Sequence, residues 1–449
     1  MRSASAPPTS RAVRIWIWEP PARAPCGAGR PRRPAAGAEG SEDTPMKPLH
    51  DYAGSVRHQA SDRRSSTAAR SLCEIDLEAI AANLRAVRGL LAPGTKVAAV
   101  VKADAYGHGA RRVAMHLQRL GVEWFAVATV AEGVELRRYG ITGQIITLNA
   151  LMAAELDLAV THSITVSIGS AAEASLLNQI AFHLGRTAKA HIVVDTGLSR
   201  GGFAPQELLK ALPALQALDS VFCEGMWTHF ASLRSLPDAR AKVESFRALA
   251  SAARRFLPLS CVHMAGSVAA VKLRESHFDM VRPGIVLYGY VPHTEHALDL
   301  TPAMTVTAPL IAVRRYPAGT PLSYEGLHVL PRDANIGIVR HGYAEGYDVH
   351  LTNTGKVAIC GASYPVVGRI TMDQMLVDLG DDEHRPGERA TLFGRAGPSV
   401  LDVAQRAGSL PHAVLVAVGG RVAKTWIGAG DAEPAPTLRP SPARHFAGL

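Results

Sequence analysis

A lysine at the end of an apolar run is the first group in this chain able to do chemistry. It lies in Lys96-Val97-Ala98-Ala99-Val100-Val101-Lys102-Ala103-Asp104-Ala105-Tyr106-Gly107-His108-Gly109. The run Val97–Val101 lacks polar alternation, as in a parallel strand covered on both faces. Lys102 then falls at the C-terminal end of the strand, where barrel enzymes carry their chemistry. Partial desolvation there lowers an ammonium pKa, which suits a Schiff-base lysine; a solvated lysine closing a strand remains the plain alternative. A second group is Asp279-Met280-Val281-Arg282-Pro283-Gly284-Ile285. Gly284 permits close backbone approach, and free N–H groups at such a turn suit a phosphate. Arg282 cannot practically lose its proton, so it is a permanent donor. Three further stretches are ambiguous alone. Asp195-Thr196-Gly197-Leu198-Ser199-Arg200 could be an ordinary βα loop, His229 in Thr228-His229-Phe230 a satisfied core ring, and Tyr324 in Leu322-Ser323-Tyr324 a structural turn residue.

The elements that must position these groups follow from periodicity. Cys73–Leu77 reads as a strand running into a helix capped by Asp76, with apolar Ile80, Leu84, Val87 and Leu91 on one face and an end at Pro93-Gly94. Eight strand-like runs then alternate with helical stretches such as Ala131–Tyr139 and Ala172–Leu184. The runs are Val97–Val101, Phe125–Thr129, Ile145–Leu148, Ile164–Ile168, Ala190–Thr196, Glu224–Phe230, Cys261–Gly266 and Asp279–Gly284. This pattern predicts a closed (β/α)8 TIM-type barrel; an open doubly wound sheet would lack its usual GxGxxG here. Beyond Thr301 short β-rich runs between Gly, Pro and Asn turns predict a β-rich C-terminal domain. The expected organisation is an Arg/Pro/Ala-rich disordered extension over 1–70, a barrel over 71–300, a β domain over 301–430 and a loose tail over 431–449. The first strand is a candidate member of the β domain.

Bulk numbers narrow the function classes. The chain has 449 residues and a formal net charge of +9. Residues 1–70 hold 12 Lys/Arg against 6 Asp/Glu, which leaves only +3 for the rest and no basic stripe for nucleic acid. No apolar run approaches the ~18 residues of a membrane span. The five cysteines are scattered without metal-ligand spacing, as expected of reduced thiols in a cytoplasmic protein.

The motifs together resemble those of the alanine racemases, pyridoxal-phosphate enzymes built from a barrel and a β domain. The resemblance runs over about residues 72–427. VVKADAYGHG is similar to the family's cofactor segment, which implies that Lys102 holds pyridoxal 5'-phosphate covalently with Tyr106 beside it. DTGLSRGG resembles DTGxxRxG, whose arginine donates to the cofactor's phenolic oxygen and contacts the substrate carboxylate; Arg200 takes that place. Many members carry a lysine, often carbamylated, seven residues earlier to orient this arginine. Here Val193 stands there, and Lys189, roughly 13 Å off at about 3.3 Å per residue, is a poor replacement.

The resemblance places the His229 ring against the pyridine and Ser267 on the phosphate. It sets His263 behind Arg282, Arg282 beside the pyridine nitrogen, and Gly284 and Ile285 at the phosphate turn. Gly266 replaces the usual asparagine of HxANS, so one polar contact is missing. An arginine at the pyridine nitrogen keeps that nitrogen unprotonated, which favours simple reprotonation over transamination. Tyr324 matches the second catalytic base, Tyr343 lines the substrate entrance in a GYADGY-like segment, and Met372 and Asp373 meet the substrate in a GRxxMDQ-like one. His412 falls where the family has a phosphate-binding tyrosine. The implied function is interconversion of L- and D-alanine by a two-base mechanism, supplying D-alanine for peptidoglycan, in a homodimer with shared active sites. A basic-amino-acid decarboxylase of the same fold lacks its CxSxD segment here. A broad-specificity racemase and a non-catalytic cofactor-binding protein are the other readings.

Overall fold

The computed structural model describes residues 70–291 and 298–428; the extension expected over 1–70, apart from Arg70, and the tail expected over 431–449 lie outside the described residues. Strand β1 is Leu72–Asp76. Asp76 caps the helix Leu77–Gly89 by accepting from the Ala79 N–H at 3.0 Å, which satisfies one of the orphan donors of the first turn. Ile80, Leu84 and Val87 form its buried stripe, and the helix stops at Gly89, short of the expected Pro93-Gly94.

Eight parallel strands then close a barrel. They are β2 Lys96–Val100, β3 Trp124–Val127, β4 Gln144–Thr147, β5 Ile164–Ile168, β6 Ala188–Val193, β7 Val221–Trp227, β8 Cys261–Gly266 and β9 Met280–Arg282. Closure comes from β9 pairing with β2 at Lys96↔Met280 and Val97↔Val281. Every run read as a strand is one, two of them (Ile164–Ile168 and Cys261–Gly266) to the residue and the other six with shifted ends. Thr196 and Phe230, expected inside strands, lie in the loops that follow β6 and β7. Strands such as β3 and β5 are buried at every position, as a sheet wrapped by helices requires. Phe125, Ile145 and Ile146 are fully buried, each worth about 1.5–3 kcal/mol of transfer free energy.

The β domain begins with the long β10, Met304–Tyr316. After the short pair β11 Pro321–Leu322 and β12 His328–Val329 come β13 Ala334–Val339, β14 Lys356–Ile359, β15 Ala362–Val367, β16 Met375–Gly380, β17 Arg389–Phe393 and β18 Ala423–Ile427. The main sheet runs β13-β16-β15-β14-β17-β10-β1-β18, and β10 also pairs with β13, so the sheet curls back on itself. The strand that precedes the barrel therefore belongs to this sheet, antiparallel to β10 and parallel to β18. Among the described residues no helix is long and apolar enough to cross a membrane.

Candidate active site

The turn after β2 is the most unusual backbone in the described chain. Ala103, Asp104, Ala105 and Tyr106 all have positive φ, between 51° and 55°, so the turn Lys102–Tyr106 winds left-handed. Left-handed L-residues cost roughly 1–2 kcal/mol each. Such strain persists only where the surroundings over-determine it. Here the Ala103 N–H donates to Glu132 at 2.7 Å, and Asp104 accepts from the Ala110 N–H at 2.7 Å while pairing with Lys424 at 2.8 Å. Trp426 Nε1 donates to the His108 carbonyl at 2.8 Å. At Gly109, φ +89°, an added Cβ would stand 2.5 Å from the Trp426 ring. The β18 strand of the β domain thus clamps the barrel turn, and Lys102 and Tyr106 line a single cavity at the barrel mouth.

That cavity has a volume of about 800 Å³. All nine residues assigned to the cofactor line it: Lys102, Tyr106, Arg200, His229, Ser267, Arg282, Gly284, Ile285 and His412. Its charged residues are Lys102, Arg200, Arg234, Lys272 and Arg282, with no Asp or Glu among them. A mouth so composed fits an anionic ligand. The cup for it is built by Ser267, whose Oγ accepts from the Gly284 N–H at 2.8 Å and the Val286 N–H at 3.4 Å. Gly284 is needed there because a Cβ would come within 2.6 Å of the Tyr106 hydroxyl. Gly266, in place of the asparagine of the similar motif, makes room for His229: an added Cβ would meet its Cε1 at 2.9 Å. His412 packs its ring 5.6 Å from that of Tyr106, at the same end of the cavity.

Arg282 is buried behind the cup with neutral partners. It donates to His263 Nδ1 at 2.6 Å and to the carbonyls of Thr228 and Met264 at 2.8 and 3.1 Å, and it lies 3.2 Å from His229 Nδ1. Its guanidinium stacks over Trp227 at 4.9 Å. Burial pulls Arg282 down to about 9, which leaves it cationic at neutral pH. His263 Nε2 continues to His191 Nδ1 at 2.8 Å, and His191 Nε2 faces Glu224 at 3.9 Å. His191 and Glu224 were not singled out from the sequence; they sit mid-strand in β6 and β7 with no motif around them, and only the closed barrel brings them in line with Arg282. Burial, then the Arg282 charge, hold His263 well below the usual imidazole range and His191 at about 3, so both rings are neutral.

Lys102 is pulled below the usual lysine range by burial and then by the Arg200 charge, opposed by Glu132. Burial raises the Tyr106 phenol to about 12, so it serves as a neutral donor. Arg200 is exposed on its loop, and among the described residues its guanidinium has no hydrogen bond or ion pair to the protein. The loop itself is held by Asp195, which accepts from the N–H groups of Gly197, Leu198 and Ser199 at 2.7, 2.8 and 3.1 Å. Val193 lines a smaller cavity beside Arg200, of about 280 Å³. Lys189 is committed elsewhere, to Glu224 at 3.2 Å.

The four remaining residues are absent from the lining of the large cavity. Tyr324, Tyr343 and Met372 are 67%, 47% and 51% exposed on the β domain. They occupy linked loops: Ser323 donates to the Arg369 carbonyl at 2.7 Å, Glu325 pairs with Arg369 at 2.7 Å, and the Tyr343 N–H donates to the Thr371 carbonyl at 3.1 Å. Arg421 ties Asp373 (2.6 Å) to Glu345 (2.7 Å) in the same cluster.

A parallel barrel with a lysine and an acid-free anion cup at its mouth, clamped by a β-rich second domain, defines the barrel-plus-β-domain class of racemases. Residues 75–292 match the alanine racemase N-terminal domain and residues 303–426 the alanine racemase C-terminal domain. The chain belongs to the alanine racemase family. It is 36% identical over 363 residues to the alanine racemase of Desulfovibrio desulfuricans, covering 79% of this chain and 97% of that one. The crystal structure of the Streptomyces lavendulae alanine racemase superposes with a TM-score of 0.76 at 36% identity, covering 80% of this chain and 97% of that one. The Bartonella henselae enzyme, solved with covalently bound pyridoxal phosphate, matches with a TM-score of 0.74 at 28% identity, covering 80% of this chain and all of that one.

Proposed function

We propose that Lys102 and Tyr324 are the two bases of a pyridoxal-phosphate-dependent alanine racemase, acting on opposite faces of one substrate. The observation that carries this is the mouth itself, where a lysine of lowered pKa stands in a cavity without acidic lining residues, beside the Ser267–Gly284 turn and a buried cation. Bound there, the cofactor supplies an electron sink that makes the substrate Cα–H acidic.

The chain's own groups do the rest. Ser267, Tyr106, His412 and the backbone of Gly284 and Ile285 would hold the phosphate, and His229 would pack against the ring. Arg282, which keeps its protons, would donate to the pyridine nitrogen. Arg200, whose guanidinium has no hydrogen bond or ion pair among the described residues, is available to bind the substrate carboxylate. Lys102 removes or returns the Cα proton on one face, and its lowered pKa supplies the neutral amine that a base must be. Tyr324 does the same on the other face, with Tyr343, Met372 and Asp373 at the substrate entrance.

Tyr324 is exposed and does not line the cavity of its own chain. This supports a homodimer in which the loop cluster of one chain completes the cavity of its partner. A domain boundary near residue 300 is supported by the ends of the two family matches at 292 and 303. Cys73, Cys223 and Cys261 are free thiols buried in the core, in keeping with a cytoplasmic protein.

A racemisation assay over a panel of L-amino acids with added pyridoxal phosphate tests the reading. Alanine should give the highest kcat/KM. Faster turnover of another amino acid by an order of magnitude would favour the broad-specificity reading, and no turnover of any would favour the binding protein.

A further inference from the structure

Outside the active site, three potential metal ligands of different chemistry meet on the β domain. Cys360 sits in the tight turn between β14 and β15, and His384 and Glu388 lie in the loop that leads into β17. The register brings them together, since Ile359 pairs with Ala390 and so carries Cys360 level with Arg389, the neighbour of Glu388. Cys360 Sγ, a His384 ring nitrogen and a Glu388 carboxylate oxygen all lie within 4.8 Å of one another. Sγ stands 3.9 Å and Nδ1 2.6 Å from Glu388 Oε2. Zinc bond lengths with tetrahedral angles separate neighbouring ligand atoms by roughly 3.3–3.6 Å. Opening the Nδ1–Oε2 pair and closing the Sγ–Oε2 pair, each by less than about 1 Å, brings both to coordinating separation.

The far side of the histidine is arranged as an outer shell. Tyr364 OH donates to Asp382 at 2.7 Å, a carboxylate that can only accept. Its oxygen must then accept from His384, whose Nε2 is 2.9 Å away. That leaves Nδ1 facing Cys360 and Glu388, where only a proton or a metal ion can bridge it to the carboxylate. Orientation of a ligating imidazole through its other nitrogen is the usual support of a metal site. Glu388 is also fixed, its Oε1 accepting from the Arg385 N–H at 3.2 Å.

We propose that Cys360, His384 and Glu388 bind a zinc ion, with the fourth position open to water. One thiolate, one imidazole and one carboxylate suit zinc rather than magnesium or calcium, which take oxygen ligands. On binding, the Cys360 thiol proton and the proton shared by Nδ1 and Glu388 both leave to solvent, and the metal forms bonds to the sulfur, the nitrogen and the carboxylate oxygen in their place. The ion then fastens the β14–β15 turn to the loop before β17. None of the three ligands lines the active-site cavity, so the site is a second, separate one. The wide spacing of 360, 384 and 388 hides it from the sequence.

The test uses the full chain with its cofactor bound, stripped of metal by dialysis against a chelator. Zinc is titrated back in competition with a chromogenic chelator, and cobalt(II) is added separately to read its visible ligand-field bands. One equivalent of tight zinc per chain is expected, with cobalt bands of a thiolate-bound tetrahedral ion. Tyr364→Phe should weaken binding by roughly 10–100-fold, the range for loss of an outer partner, and Cys360→Ser and His384→Ala by more. Racemase activity at room temperature should be the same in Cys360→Ser and unaltered protein. No tight zinc, or tight zinc retained by both Cys360→Ser and His384→Ala, overturns the proposal.

Discussion

Arg282 donates to His263 Nδ1 at 2.6 Å, and that contact fixes the proton on each ring behind it. A nitrogen that accepts from a guanidinium carries no proton, so His263 is protonated on Nε2. It then donates to His191 Nδ1, and the His191 N–H is left on Nε2, pointing at Glu224. The buried guanidinium is thus backed by a chain of neutral imidazoles through the barrel core to the Glu224 carboxylate.

Replacing His263 with alanine leaves an Arg282 donor buried without its partner. Loss of one partner to a charged group typically costs about 1–3 kcal/mol. His263→Ala should lose about that much in urea unfolding and should lower kcat more than it raises KM for alanine. Unchanged stability and kcat would show that Arg282 does not depend on His263.

The buried imidazoles set a pH limit on stability. Burial above all holds His108 at about 4 and His191, His229 and His341 at about 3, against 6.5 for a free ring. Below pH 6.5 the unfolded chain binds protons that the native rings refuse, so stability is complete above that pH and declines as pH falls toward 3–4. Each ring subtracts up to about 1.4 kcal/mol per pH unit in that window. Urea midpoints should be clearly lower at pH 5 than at pH 7.5, and equal midpoints would contradict neutral burial of these rings.

Gly284→Ala should weaken the cofactor site without unfolding the barrel. The new Cβ would stand 2.6 Å from the Tyr106 hydroxyl and 3.1 Å from its Cζ, so the phenol must move off the phosphate cup. Reconstitution of cofactor-free protein, followed by visible absorbance, should need at least about tenfold more pyridoxal phosphate, the effect of ~1.4 kcal/mol. Equal affinity would mean that the cup is elsewhere.

Arg200→Lys removes the paired donors that a carboxylate can engage while keeping the charge. With charge-assisted bonds worth about 1.5–3 kcal/mol, kcat/KM for alanine should fall by roughly 10–100-fold, mostly through KM. A KM unchanged within twofold would remove Arg200 from the substrate carboxylate.

Local chemistry made much of this protein legible. Unalternating apolar runs such as Ile164–Ile168 and Cys261–Gly266 matched their strands to the residue because a doubly covered strand has no polar face to misplace. Eight of the nine residues of the mouth were legible because barrel strand ends and loops carry them in short motifs; the ninth, His412, lies on the helix Pro411–Val416 beyond the barrel. What escaped were contacts made only by closure. His191 and Glu224 lie inside strands, and their partners are brought by neighbouring strands. The left-handed turn at Ala103–Tyr106 contains no glycine to announce it; it is imposed by Glu132, Lys424 and Trp426, residues up to 320 positions away.

The central claim is that Lys102 and Tyr324 serve one site from two chains, and mixing two inactive variants tests it most directly. Tyr324→Phe should bind cofactor normally and lose racemisation by about 10²–10⁴, the usual contribution of a positioned base. Lys102→Ala should be inactive as well. When subunits of the two proteins are exchanged, each mixed dimer has one site with both residues intact. Activity should then rise well above either parent, toward a quarter of the unaltered enzyme's for an equimolar random mixture. If exchange is demonstrated by tagged subunits and activity stays at the level of the parents, the shared site does not exist.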